Sequence, residues 1–170
     1  MKIKPIIITI VGDTGVGKTT LVNNLYQKHG IPTIVSFTTR PKRKDETNGI
    51  EHWFVDTIPS HERLLAYTNF GGYDYWTTFS QTKELGSLFT YVIDEKGLID
   101  LENQFNKEFC IVKIKIEREN KKNVDVERLF RDNERIILNN DFYDVIFKND
   151  KTIEILTDNV VNWLQKEFCL

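Results

Sequence analysis

Short apolar, β-branched runs alternate along the chain with charged, helix-prone stretches. Ile6–Val11 is an apolar, β-branched run between Pro5 and Gly12 with Thr9 its one polar residue, the pattern of a strand buried on both faces. Lys18–Lys28 follows as a helix, closed by Gly30 with Pro32 beyond. Thr33–Phe37 reads as a short second strand, and Pro59–Tyr67 as a short helix with Pro59 in its first turn. Leu88–Ile93 and Phe109–Ile116 are further strands, with a helical stretch around Lys96–Phe105 between them. Asn123–Leu138 is charged and helix-prone, and Tyr143–Phe147 reads as a last strand. Ile153–Phe168 closes the sequence as an amphipathic helix, with Leu156, Val160, Trp163 and Leu164 at three- and four-residue spacings. Strands alternating with helices predict an α/β fold, a parallel sheet covered on both faces.

Composition narrows the class only a little. The 170 residues fit one domain with a substantial core. A formal charge of −2 gives no global pull towards nucleic acid or an anionic membrane, so an anion must be gripped by a local cluster. The opening apolar run is too short for an export signal and ends in glycines rather than a cleavage site. No stretch approaches the ~20 apolar residues that span a bilayer. Cys110 and Cys169 make neither a disulfide framework nor a metal-ligand spacing, and Cys110 sits in an apolar strand as a packing residue. A cytoplasmic protein is the expectation.

The strongest chemical signal is Gly12-Asp13-Thr14-Gly15-Val16-Gly17-Lys18-Thr19, with Thr20 next, which fits G-x-x-x-x-G-K-[ST]. Glycines let the backbone wrap closely enough for successive N–H groups to face phosphate oxygens, and the following helix adds its positive end. Lys18 supplies a mobile charge for the β- and γ-phosphates of ATP, and the Thr19 hydroxyl can ligate Mg²⁺. Chance would produce the match on the order of once in two hundred chains of this length. Its place between a strand and a helix makes chance a still poorer account.

A second cluster follows. Ser36-Phe37-Thr38-Thr39-Arg40-Pro41-Lys42-Arg43 leads through Glu46, Asn48 and Gly49 to His52-Trp53-Phe54-Val55. Arg40 and Arg43 lie just after a short strand with hydroxyls alongside, and two guanidinium forks suit a phosphate monoester. Here the chain resembles the guanylate kinase family, whose pattern runs roughly S-x-x-T-R-x-P-R-x-G-E-x-x-G-x-x-Y-x-F-V. Phe70-Gly71-Gly72-Tyr73-Asp74-Tyr75-Trp76-Thr77 is similar to its F-x-G-x-Y-Y-G-[ST] segment. Tyr91-Val92-Ile93-Asp94 with Gly97 is similar to its strand ending in D-x-x-G, and Val145–Asp150 to its late strand ending in N-D.

That resemblance implies a P-loop NTPase fold, with a core over residues 1–35 and 86–170, a monophosphate-binding segment near 36–85 and a lid near 117–125. It implies transfer of the ATP γ-phosphate to GMP, dGMP or a related (deoxy)nucleoside monophosphate, with Mg²⁺ as cofactor. Arg40, Arg43 and Tyr75 would hold the acceptor phosphate, with His52 where the family has a tyrosine. Ser36 and Thr77 would lie near the base, and Asp94 near the acceptor or metal. Arg128 and Arg131 would stabilise the transferring phosphoryl group from the lid side. With Arg135 they recur at three- and four-residue spacing, so one helix face would carry all three. Asp45 and Trp76 replace family glycines, and Ala66 stands where the family has a glutamate for guanine.

Without that carboxylate, acceptors with other bases, modified nucleotides or sugar phosphates stay open. A peptide-binding module or a nucleotide-driven switch remains an alternative, although the intact phosphate loop speaks for catalysis. Expected partners are thus ATP and a monophosphate, with no nucleic acid or membrane, in a monomer or homodimer.

Overall fold

The computed structural model describes residues 4–119 and 135–168. Among them, β1 (Ile6–Val11), β6 (Leu88–Val92), β7 (Cys110–Glu117) and β8 (Val145–Lys148) form one parallel sheet in the order β6-β1-β7-β8. A second sheet, ordered β3-β2-β5-β4, is built from β2 (Phe37–Thr38), β3 (Trp53–Phe54), β4 (Leu64–Phe70) and β5 (Tyr73–Thr78). The helices are α1 (Lys18–His29), α2 (Phe79–Thr82), α3 (Glu95–Phe105) and α4 (Ile153–Phe168). None of the described helices is long and apolar enough to cross a membrane.

The β-branched, mostly apolar run of β1 is explained by its central position, where the one polar residue, Thr9, donates to the Val112 carbonyl at 2.8 Å. Ile8 and Ile10 pack with Leu21, Leu25, Val160 and Leu164 of α1 and α4 on one face. Ile7 and Val11 join Phe89, Leu98, Leu101 and Phe105 on the other. Helices therefore cover both faces, and alternate residues of one strand feed two cores. α1 ends at Gly30, whose left-handed φ of 67° lets its N–H return to the Tyr26 carbonyl. Asp94 caps α3, its carboxylate accepting from the Gly97 N–H at 2.7 Å.

The structure departs from the sequence pattern in three places. Pro59–Tyr67 is not a helix, because Leu64 onward pairs antiparallel with β5 across the Gly71-Gly72 turn. Both glycines have positive φ, 59° and 79°, which a tight two-residue hairpin demands. Thr33–Phe37 is not one strand either. Thr33 makes a single bridge to Thr90, and only Phe37 and Thr38 join the second sheet, so the chain crosses between sheets with Ser36 at the crossing. Residues 135–138 are irregular rather than helical. The rest of the expected Asn123–Leu138 helix, most of the 117–125 segment and Cys169 lie outside the described residues. Cys110 opens β7 half-buried as a free thiol.

Candidate active site

The phosphate loop joins β1 to α1, and its shape is fixed from three sides. Gly12 has a φ of 150°, and a Cβ there would run into the carbonyl oxygen of Ile116 on β7. Gly17 has a φ of 101°, with its missing Cβ 2.6 Å from Asn149 Nδ2. No L side chain fits either position without moving its neighbour. Asn149, buried just after β8, donates to the Val16 carbonyl at 2.8 Å and so ties the loop to the end of the sheet. The Val16 side chain itself packs in the core, so only its backbone belongs to the loop surface. Lys18 folds back, donating to the Asp13 carbonyl at 2.7 Å and also to that of Gly12.

Arg40 and Arg43 sit on the loop after β2 and are organised by one carboxylate. Glu46 Oε1 accepts from Arg40 at 2.7 Å, and Oε2 accepts from the Arg43 backbone N–H at 2.8 Å. The Arg43 guanidinium stands 3.6 Å from the same carboxylate. Arg40 is only 7% exposed, lies over the Phe54 ring and also donates to the Pro41 carbonyl. Burial alone would lower its pKa, but Glu46 and Tyr75 outweigh it and hold the guanidinium charged. Burial likewise works against the Glu46 carboxylate, yet the bond from Arg40 keeps it below the usual range.

His52 lies edge-on to Tyr75 and hydrogen-bonded to Ser36 at 2.8 Å. Burial, then the Arg40 charge, press its pKa down to about 4, so the imidazole is neutral. Trp76, one residue beyond Tyr75, faces the other side of the second sheet and stacks on Phe37, with ring centroids 5.7 Å apart. It packs there, yet it also lines the neighbouring side chamber, with its indole N–H buried and unpartnered among the described residues, while period-two alternation turns Tyr75 and Thr77 to the opposite face.

The glycine loop and the Arg40–Arg43 loop face one another. Gly15, Gly17, Lys18, Thr19 and Thr20 share a cavity of about 640 Å³ with Ser36, Arg40, Arg43, His52 and Tyr75. A side chamber of about 210 Å³ continues from Gly12, Thr14 and Lys18 towards Ala66, Tyr91 and Asp94. Asp94 is thus in the site, although its Oδ1 is already shared between the Gly97 N–H and the Thr68 hydroxyl. Thr77 is fully buried behind that chamber and bonds to Tyr91. Asp13 faces a different cavity, beside Glu95 and Arg135. Arg128 and Arg131 lie outside the described residues.

Three residues were quoted in the sequence motifs or helix pattern without a clear part in the site. Glu46 aligns both arginines and Asn149 braces the loop. Arg135 donates to the Gly12 carbonyl at 2.7 Å and makes a two-pronged pair with the buried Glu95. Their signal is weak because each acts by touching another protein group, which spacing along the chain does not encode.

A cation accompanying a triphosphate would find an oxygen donor in Thr19, on the cleft wall at the start of α1. Among the described residues no cluster of three or more His, Cys, Asp or Glu side chains is gathered for a metal. A hard cation such as Mg²⁺ fits this donor set, because it keeps phosphate oxygens and water as its remaining ligands.

Comparison with known proteins identifies the family and the fold. The family model described as guanylate kinase matches residues 2–166. A guanylate kinase of Schizosaccharomyces pombe is 31% identical over 111 residues, covering 61% of this chain and 52% of that protein. One from Neisseria gonorrhoeae is 34% identical over 106 residues, covering 57% and 52%. The chain thus spans about half the length of the curated relatives it matches. The crystal structure of guanylate kinase from Anaplasma phagocytophilum superposes with a TM-score of 0.69 at 21% identity, over 98% of this chain and 87% of that one. That likeness is one of fold.

Proposed function

The chain belongs to the guanylate kinase family, and from that premise we propose that it transfers the γ-phosphoryl group of ATP to GMP, dGMP or a related nucleoside monophosphate. The observation that carries this reading is the single cleft in which the glycine loop and the Arg40–Arg43 pair face each other. A hydrolase or a switch has use for the first anion cradle and none for the second.

In the reaction, loop amides and Lys18 hold the triphosphate, with Lys18 leaving its backbone carbonyls for the β- and γ-phosphate oxygens. Arg40, Arg43 and Tyr75 hold the acceptor phosphate so that one of its oxygens points along the line of transfer. That oxygen is already anionic at neutral pH, so no side-chain base is needed. Mg²⁺, when bound with ATP through Thr19, supplies charge neutralisation on the phosphate oxygens. Arg135 holds the Gly12 carbonyl and so sets the entrance of the loop, and Glu95 fixes the orientation of its guanidinium through a two-pronged pair. Arg128 and Arg131 remain proposed as cations for the moving phosphoryl group.

The test is incubation of purified protein with ATP, Mg²⁺ and single (deoxy)nucleoside monophosphates, following ADP and the diphosphate product. Acceptor-dependent formation of both in equal amounts is expected. ADP release at the same rate without any acceptor would refute the reading.

A further inference from the structure

The far end of the side chamber holds a pair of hydroxyls that phosphoryl transfer does not employ. β4 and β5 set Ala66 opposite Thr77, and the Thr77 hydroxyl meets the Tyr91 phenol of β6 at 2.8 Å. Thr77 is fully buried and Tyr91 is 4% exposed, while Tyr91 lines the chamber with Ala66 and Asp94. Two hydroxyls carry two protons, and only one can lie between the two oxygens. Neither side chain makes a further hydrogen bond to the described residues. One O–H is therefore left for whatever fills the chamber. Burial pushes the Tyr91 phenol well above its ordinary value, so the pair keeps both protons through the neutral range.

Asp94 is the one carboxylate among the described residues that line this chamber. Its Oδ1 is taken by Gly97 and Thr68, and its Oδ2 accepts from none of the described residues. Beside Thr77 on the same face of the sheet stands the Ala66 methyl, which accepts nothing. Tyr91 thus brings a spare donor and Asp94 a spare acceptor to a chamber whose wall also holds the Trp76 indole N–H, buried without a partner among the described residues. Guanine presents two adjacent donors, its ring N–H and its 2-amino group, beside a carbonyl acceptor. Asp94 Oδ2 is the one spare carboxylate oxygen that the described lining residues offer those donors.

Resting on the kinase reading above, we propose that Tyr91, paired with Thr77, is a specificity-determining residue that donates to an acceptor atom of the bound base. The 2-amino group of guanine then goes unread, and the site takes 6-oxopurine monophosphates with or without it. IMP is the diagnostic acceptor, since it differs from GMP by that group alone.

The experiment compares kcat/KM for GMP and IMP in the wild-type chain and in Tyr91→Phe, with KM for ATP measured alongside. IMP is expected within about fivefold of GMP, because no buried partner is left unpaired when the amine is missing. Tyr91→Phe keeps the ring and removes the donor, so kcat/KM for both acceptors should fall by roughly tenfold, the ratio for one hydrogen bond, while KM for ATP stays put. GMP exceeding IMP by fiftyfold or more would overturn the proposal, because an unseen acceptor would then be reading the amine. A Tyr91→Phe variant with unchanged acceptor kinetics, or with KM for ATP raised equally, would overturn it too. Equilibrium binding of GMP and IMP gives the same ratios without turnover. A chain that binds both equally and transfers to neither sinks the kinase reading while upholding this one.

Discussion

Glu46→Gln isolates the electrostatic part of the acceptor clamp, because glutamine keeps the shape of the side chain and loses only its charge. Glu46 accepts one hydrogen bond from the Arg40 guanidinium and one from the Arg43 N–H, at 2.7 and 2.8 Å. Its side chain is 9% exposed and that of Arg40 7%, so solvent screens neither. A bond to a charged group contributes ~1.5–3 kcal/mol and a neutral one ~0.5–1.5, so two weakened bonds cost roughly 2–3 kcal/mol. For a chain of this size that corresponds to a fall of about 5–10 °C in Tm. Inorganic phosphate gives the direction of the effect. A dianion between Arg40 and Arg43 replaces the missing charge, so millimolar phosphate should raise Tm more in the variant than in the wild type. Thermal melting with and without phosphate reads both quantities. If the variant melts with the wild type and responds to phosphate no more strongly, the arginines are not held by this carboxylate and the clamp is misassigned.

The remaining predictions concern the loop, the neutral histidine and the Arg135 brace. Lys18→Ala should cost about three orders of magnitude or more in turnover and leave the denaturation midpoint within the small range of a surface change; near-normal transfer would mean the loop does not hold the γ-phosphate. His52 has its pKa lowered from 6.5 to about 4 by burial and then by Arg40. The unfolded chain therefore takes up a proton before the folded one does. Stability should be complete above pH ~6.5 and decline by at most ~3 kcal/mol as pH falls towards 4. His52→Gln should flatten that part of the curve, and an unchanged slope in urea titrations between pH 6.5 and 4.5 counts against a buried neutral ring. Glu95→Ala removes the two-pronged partner of the Arg135 guanidinium and leaves it the Gly12 carbonyl and Asp13 at 3.7 Å, and should destabilise the chain by ~1.5–3 kcal/mol. It should also raise KM for ATP more than KM for the acceptor, and the reverse split would detach Arg135 from the phosphate loop.

The residues alone determined the parts of this protein whose physics is local. The buried β1 run, the glycine loop after it, α1 with its Gly30 stop and the amphipathic α4 each follow from patterns within a few residues, and each lies where the pattern puts it. The loop is legible because close backbone approach to phosphate requires glycine at fixed positions. Arg40 and Arg43 were legible as a pair for the same reason, since they share one loop.

Tertiary structure decided what depends on partners distant in sequence. Leu64–Phe70 is a strand only because β5 lies beside it, and a short apolar run carries no period that separates helix from strand. The neutrality of His52 arises from burial against Arg40, and the Thr77–Tyr91 pair from two strands of different sheets. Arg135 reaches Gly12 across 123 positions, from irregular backbone rather than from the regular helix expected of it. Sequence specifies which groups can bind an anion. Which of them are held charged, neutral or aimed by a neighbour depends on desolvation and contact, and those exist only once the chain is folded.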